Sequence, residues 1–346
     1  MNFAIRCDGG SLIGMGHVMR CLVLAKELLK SNKVLFICKK GDGYSFQPGI
    51  DKIKAEGFKV IVVNEEKLLE EIKVIKKNNH INCLITDSYD VDEDYFNKIS
   101  DIFEYTVYID DINICKLNVD CIINQNINAK DLNYNINPNR ETKLLLGTEY
   151  CMLREEFRNK YHRKINEEVE YIFITVGGMD KDYISLKLLN VVKEFNIPIH
   201  LVIGNAFEEK LVKEFECIGE KYEHINLYKN ANMSELMKKC DIAISTTGST
   251  IYELAAMNLP TIGIVVAENQ REVCREMDRH GIIIGTEDLI YTNHKKFREI
   301  VLSLINNKDL RINMMKNQRN IISTNGVENI VKNIYLGRCY KHCAEK

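Results

Sequence analysis

Short apolar runs alternate with helical stretches along most of this chain. Phe3 to Cys7, Val34–Cys38, Lys59–Val63, Cys83–Thr86, Val107–Ile109 and Cys121–Ile123 are dominated by aliphatic, β-branched and aromatic residues, as strands covered on both faces require. Between them the apolar residues fall at helical spacing. After His17, for example, Val18, Cys21, Leu22, Ala25, Leu28 and Leu29 line one helical stripe. Such alternation predicts a parallel sheet with helices on both faces. The scheme starts again at Tyr171–Val176 and runs through His200–Ile203, Ile225–Leu227, Ile242–Ser245 and Pro260–Val266, which predicts a second doubly wound domain. Arg154 to Val169 is charge-rich and lacks a strand pattern, so the boundary is placed there. Past about Asn293 only helical patterns follow, including Phe297–Leu304 and Val327–Tyr335. The expected organisation is an N-terminal domain over 1–160, a C-terminal domain over 161–322, and a closing helix and tail over 323–346.

A chain of 346 residues is too long for one ordinary core, and 45% apolar residues can fill two. Its 47 basic and 49 acidic residues leave a formal net charge of −2, so no basic field points to nucleic acid or to an anionic membrane surface. The first strand pattern begins at once, without a basic-then-apolar leader, and no apolar run reaches the roughly 18 residues of a membrane span. A soluble, cytoplasmic monomer is expected. The 12 cysteines are scattered, with no C-x-x-C pair. Cys7, Cys38, Cys83 and Cys121 lie in or beside strand runs, where a thiol acts as a small buried hydrophobe. Cys339 and Cys343, beside His342, have ligand-like spacing, but a structural zinc normally takes four ligands, and a short solvated tail accounts for them. Neither a metal nor a cofactor is implied.

The densest chemistry lies between Arg6 and Arg20, where a strand pattern turns through glycines into a helix pattern. Open α/β sheets bind their ligands at such turns. His17 falls at or near the start of that helix. Gly14 and Gly16 permit a tight turn and close approach of a ligand, and free N–H groups of the first helical turn favour an anion. The dinucleotide fingerprint would need glycine where Met19 stands, so a nicotinamide or flavin is disfavoured. A second turn, Ser245-Thr246-Thr247-Gly248-Ser249-Thr250, gathers hydroxyls and backbone N–H groups that fit a diphosphate, although helix capping wants the same residues. Glu253, one turn further on, is placed to accept two ribose hydroxyls. Gly177 and Gly178, followed by Met179 and Asp180, read either as a wall of that phosphate site or as a plain turn. In the first domain Asp87 and Tyr89, and then Asp110 and Asp111, end apolar strands with acids at the C-terminal lip. The pairs Asp90/Asp92, Asp92/Asp94 and Asp180/Asp182 have metal-like D-x-D spacing but read as helix starts.

Taken as R-x-D-x-x-S-x-I-G-x-G-H-x-x-R-x-L-x-L-A, residues Arg6 to Ala25 closely resemble the start of the UDP-diacetamido-trideoxy-altrose hydrolases of the pseudaminic acid pathway, relatives of the lipid II-forming N-acetylglucosaminyltransferases. The likeness extends over most of residues 1–280. It implies an α/β protein of GT-B type: two doubly wound, Rossmann-like domains facing a cleft, with a last helix crossing back to the first domain. It also implies a UDP-linked diacetamido-trideoxy sugar as the partner and His17 as the general base. Around His17 it places Arg6, Asp8, Ser11, Gly14, Gly16 and Arg20. The family's D-x-Y falls on Asp87 and Tyr89, which would orient the sugar or His17. Its L-R-E-E-F falls on Leu153 to Phe157, where Arg154 would hold a substrate oxygen or form an interdomain salt bridge. Its G-G-x-D falls on Gly177 and Gly178, its diphosphate turn on Gly248, Ser249 and Thr250, its ribose acid on Glu253, and its N-Q pair on Asn269 and Gln270, where a helix cap explains Asn269 equally well. The implied reaction is displacement at the anomeric carbon by water that His17 deprotonates, with UDP leaving, the configuration inverting and no metal taking part. A transferase on the same fold and a non-catalytic nucleotide-sugar binder are the alternatives.

Overall fold

The computed structural model of this protein describes residues 1–10, 13–41, 45–113 and 115–344, with side chains as far as residue 337. The chain divides into two units, Met1–Leu153 with Asn325–Lys346, and Arg154–Thr324. In the first unit, strands β1 (Asn2–Cys7), β2 (Lys33–Lys39), β3 (Lys59–Val63), β4 (Cys83–Asp87), β5 (Tyr105–Ile109), β6 (Cys121–Asn124) and β7 (Lys143–Leu146) alternate at first with helices α1 (Gly16–Leu29), α2 (Gln47–Ala55), α3 (Leu68–Asn79) and α4 (Glu93–Ile102). The strands form one parallel sheet in the order β3-β2-β1-β4-β5-β6-β7. Alternate β1 residues explain its unbroken apolar run. Phe3, Ile5 and Cys7 join the core that holds Val18, Cys21, Leu22 and Leu28 of α1, while Ala4 joins a second core with Ile72 and Ile75 of α3 and Phe96 and Ile99 of α4. Both faces of the sheet are therefore covered.

The second unit repeats the plan. Its elements are β8 (Ile172–Thr175), α5 (Ile184–Val192), β9 (Ile199–Ile203), α6 (Glu209–Lys221), β10 (Ile225–Lys229), α7 (Met233–Lys239), β11 (Ile242–Thr246), α8 (Thr250–Ala256), β12 (Thr261–Ile264), α9 (Arg271–Arg279), β13 (Ile284–Gly285), α10 (Leu289–Thr292), α11 (His294–Asn306) and α12 (Lys308–Ile321). The parallel order is β10-β9-β8-β11-β12-β13. In each sheet the winding reverses once, between β1 and β4 and between β8 and β11, and α/β sheets keep their ligand crevices at such reversals. Among the described residues no helix is long and apolar enough to cross a membrane.

A last helix, α13 (Gly326–Ala344), returns to the first unit, where Val327, Ile330, Val331 and Ile334 share the core of β1 and α1. Its first residue is pressed against main chain, since a Cβ on Gly326 would lie 2.3 Å from the Cys151 carbonyl oxygen and 2.4 Å from the Cys151 nitrogen. Backbone cannot move aside as a side chain can. Gly326→Ala is therefore expected to destabilise the first unit by about 1–3 kcal/mol, read as a lower midpoint in chemical denaturation. An unchanged midpoint would mean that residues 150–151 do not hold the start of α13.

Candidate functional site

Parallel pairing of β1 with β4 in the register Cys7↔Asp87 starts the β1–α1 loop beside the Asp87 carboxylate. That carboxylate is wholly buried and accepts four hydrogen bonds. Oδ1 receives His17 Nδ1 at 2.6 Å and Arg20 Nη2 at 2.5 Å, while Oδ2 receives Arg20 Nε at 2.6 Å and Cys21 Sγ at 3.3 Å. Burial opposes ionisation of Asp87, but the Arg20 guanidinium and then His17 outweigh it and hold the group well below the ordinary carboxylate range. Burial also pushes the Cys21 thiol up to about 11, so it stays a neutral donor. An ionised carboxylate can only accept. His17 Nδ1 therefore carries a hydrogen, and the neutral form of the ring has its lone pair at Nε2. That is the tautomer a general base needs.

The next strand extends the cluster. Asp111, just beyond β5, accepts from Arg20 Nη1 at 2.7 Å and from the Tyr89 hydroxyl at 2.9 Å. The Tyr89 ring stands edge-on to His17, with centroids 4.5 Å apart and planes at 81°. Asp110 does something different: its Oδ1 accepts the backbone N–H groups of Ile112 and Asn113 and closes the turn.

Gly10 and Gly14 of the β1–α1 loop pair backbone to backbone at 2.9 Å in both directions, and Gly14 has the positive φ (+77°) that favours glycine. Gly16 has no such need. Its φ is ordinary, and a Cβ there would meet nothing within 4 Å, although alanine would favour the helix by about 1 kcal/mol. What this glycine leaves is bare backbone open to solvent. Arg6 and Asp8 lie beneath the loop. Arg6 is fully buried with Nη2 3.1 Å from Asp8 Oδ2, and Asp8 Oδ1 accepts the backbone N–H of Lys39 at 2.7 Å, tying β1 to β2. Ser11 lies outside the described residues.

In the second unit β8, β11 and β12 are neighbours, so the loops that follow them share one sheet edge. Thr246 Oγ1 donates to the Val176 carbonyl at 3.4 Å, Thr247 Oγ1 to that of Ile264 at 3.2 Å, and Val266 N–H donates to Gln270 Oε1 at 3.2 Å. These bonds lace the three loops together. Gly177 takes a positive φ (+91°), whereas Gly178 has an ordinary φ and, like Gly16, open space where a Cβ would sit. The nearest atom to a Cβ on Gly248 would be Gln270 Nε2 at 3.7 Å. Ser249 occupies the N-cap of α8, which begins at Thr250, without a side-chain capping bond, and Gln270 does the same for α9, preceded by exposed Asn269. A side-chain capping bond therefore does not account for Ser249 or Gln270. Glu253, on α8, is gripped by both arms of Arg154, Nε to Oε1 at 2.7 Å and Nη2 to Oε2 at 2.9 Å. Both residues belong to the second unit, so the pair is internal to it. Burial pushes the Glu253 carboxyl up and Arg154 opposes the shift. Asp92 and Asp180 bind the backbone N–H groups that begin α4 and α5, at Tyr95 and at Ile184 and Ser185.

The structure thus gathers His17, Arg20, Asp87 and Tyr89 at one point. It adds Asp111, which the sequence marks only as half of an acidic doublet at a strand end, and Cys21. For Asp111 the available signal was an acidic doublet ending the strand next to that of Asp87; for Cys21 it was the helical spacing from His17, which was read only as packing.

Two parallel, doubly wound units of this kind define the GT-B class. Consistent with it, residues 171–334 match the glycosyltransferase family 28 C-terminal domain. The crystal structure of Acinetobacter baumannii MurG superposes with a TM-score of 0.68 at 12% identity, covering 96% of this chain and 99% of that one. Within the class, the chain is a homologue of the UDP-2,4-diacetamido-2,4,6-trideoxy-beta-L-altropyranose hydrolase of Campylobacter jejuni, with 26% identity over 285 residues, 81% of this chain and 97% of that protein. A Methanocaldococcus jannaschii protein is 31% identical over 290 residues, 79% of this chain, and this chain spans 57% of its length.

Loss of the central carboxylate should be visible in stability before any substrate is added. Asp87→Asn is expected to cost roughly 3–5 kcal/mol at neutral pH, because it leaves part of the buried Arg20 charge without its partner. Since the folded-state pKa is depressed, this stabilisation is present above the unfolded value of about 3.9 and is lost as pH falls through the folded one. Denaturation at several pH values should show a wild-type advantage that does not shrink between about pH 7 and 5 and narrows only below about pH 4. An advantage already gone at pH 5 would contradict an ionised, ion-paired Asp87.

Proposed function

We propose that this protein hydrolyses a UDP-linked diacetamido-trideoxy sugar at the anomeric carbon, releasing UDP and the free sugar with inversion. The observation that carries this reading is the His17–Asp87 pair, which fixes the imidazole with its lone pair on Nε2. In this mechanism Nε2 takes a proton from water as the water oxygen bonds to the anomeric carbon, and the electron pair of the breaking carbon–oxygen bond leaves with UDP. Asp87 stabilises the imidazolium that forms. The second unit takes the nucleotide: the backbone at Gly177–Gly178 and Gly248–Thr250 receives the diphosphate, and Glu253 accepts ribose hydroxyls. Arg154 occupies one lone pair on each Glu253 oxygen and leaves one on each for the ribose. Asn269 and Gln270 line the same edge. The carboxylates of Asp92 and Asp180 are committed to helix starts, and the reading assigns no metal. The name of the Campylobacter jejuni homologue supports the substrate class.

The family 28 match favours a second reading, in which His17 deprotonates an acceptor hydroxyl and the sugar is transferred to it. UDP release from UDP-linked diacetamido sugars with no acceptor present separates the two. In oxygen-18 water the hydrolase puts label in the anomeric hydroxyl of the sugar, analysed before exchange, and none in UDP. Label in UDP would place the attack on phosphorus and remove His17 from this role. His17→Asn is expected to lower turnover by about 100- to 10,000-fold while UDP affinity stays within a few-fold. Glu253→Ala should weaken UDP binding by roughly 1.5–3 kcal/mol, as loss of a charged acceptor does; an unchanged dissociation constant would make Glu253 purely structural.

A further inference from the structure

Arg20 stands between two carboxylates, serving Asp87 through Nε and Nη2 and Asp111 through Nη1. Its Nη2 also comes within 3.1 Å of His17 Nδ1. Both atoms carry hydrogen, so this approach is not a hydrogen bond, and it sets a full positive charge beside the ring that must itself become positive when it accepts a proton. Were Asp87 the sole counter-charge, Arg20 would cancel it and the imidazolium would form in a neutral cage. Asp111 changes the balance, since one guanidinium against two carboxylates leaves a net negative charge. The side chain of Asp111 is only 13% exposed, its Oδ2 accepts from Arg20 and Tyr89, and its buried Oδ1 has no hydrogen-bond partner among the described residues, so the charge is only partly dispersed.

Among the described residues, the other titratable groups facing the cluster include Cys7 from β1, Cys21 from α1, Tyr89 beyond β4, Asp110 beyond β5, and Tyr108 from β5, which burial keeps neutral and whose hydroxyl donates to the Ser88 carbonyl. For Cys7 the Cys21 thiol and then burial favour the neutral form, and for Cys21 and Tyr89 burial does. Burial likewise opposes ionisation of Asp110, whose Oδ1 is occupied by backbone N–H groups.

We propose that Asp111 is a positioning residue for the base: it locks Arg20 and Tyr89 around His17 and supplies the net negative charge in which the imidazolium forms. The inference rests on the base role assigned to His17 above. During attack the proton moves from water to Nε2, the oxygen–carbon bond forms, the bond to UDP breaks, and the proton returns to solvent after the products depart.

Asp111→Asn keeps an acceptor oxygen for Arg20 and Tyr89 and removes the charge. An NMR titration of the intact chain, with the His17 signals assigned by their loss in His17→Asn, reads the effect directly. The His17 imidazolium should become an acid about three- to tenfold stronger in Asp111→Asn, and should return to within about twofold of wild type in Asp111→Glu. The acid limb of turnover against pH should move down by the same factor, while the plateau falls because a weaker base takes the proton less readily. A lowered plateau with an unmoved limb, or a His17 titration that stays put or moves the other way, overturns the proposal. Should Asp111→Asn fail to fold, Asp111→Ser removes the same charge and carries the same test. Failure of the hydrolase reading would look different: wild-type protein would release no UDP from any UDP-linked sugar, while the shifted titration of Asp111→Asn would still establish the charge effect.

Discussion

The carboxylate of Asp87, wholly buried at the end of β4, is the group on which the first unit's site depends. A buried charge is tolerated when its lone pairs are matched by donors, and here four donors do so. All four come from positions 17, 20 and 21 of α1, a spacing of three and four that shares one face of a helix. The same helix is held from below by the packing of Val18, Cys21 and Leu22 in the core around Cys7. Turning α1 would bury an unpaired carboxylate and an unpaired guanidinium together. The imidazole is thereby placed by an electrostatic constraint reaching across the sheet, not by the glycine loop that leads into it.

The glycines divide into two kinds, and only one of them serves packing. A Cβ on Gly10 would lie 1.8 Å from the Ser45 carbonyl oxygen, one on Gly49 would lie 2.3 Å from that of Gly9, and one on Gly204 would lie 2.5 Å from that of Gly177. These positions let main chain meet main chain. Gly16 and Gly178 meet nothing and adopt ordinary φ values, so neither sterics nor dihedral strain explains them. Each follows a strand next to its sheet's reversal point, and each leaves backbone uncovered there. Glycine that the fold does not need, at a point where the topology opens the sheet, is what a closely approaching ligand would require.

Much of the fold was legible because strands covered on both faces write themselves as apolar runs. What escaped was held by other means. β7, Lys143–Leu146, is a four-residue strand after an asparagine-rich stretch, and β13 is two residues long, both too short for a pattern. α12 carries little apolar periodicity because it docks through polar side chains. Arg311 donates to the carbonyls of Leu304, Ile305, Asn166 and Glu167, and Gln318 to those of Leu259 and Ile282. Hydrogen bonds to main-chain carbonyls leave no periodic trace. At the site, motif spacing found His17, Arg20 and Asp87, but Asp110 and Asp111 were indistinguishable as a doublet. Only the backbone turn at Ile112–Asn113 separates the one that closes a loop from the one that reaches Arg20.

Counting lone pairs distinguishes the two buried carboxylates that arginines hold. Asp87 and Glu253 are each gripped by a two-armed guanidinium, the geometry that best keeps a buried acid charged. Their surroundings then diverge. His17 and Cys21 take up the remaining capacity of Asp87, so it has nothing left to offer a ligand and acts through the ring it orients. Arg154 takes one lone pair from each oxygen of Glu253, and burial raises the cost of leaving the others unmatched. A saturated carboxylate is a support and an unsaturated one is a receptor. On that ground the proposed mechanism gives the orienting role to Asp87 in the first unit and the hydroxyl-accepting role to Glu253 in the second.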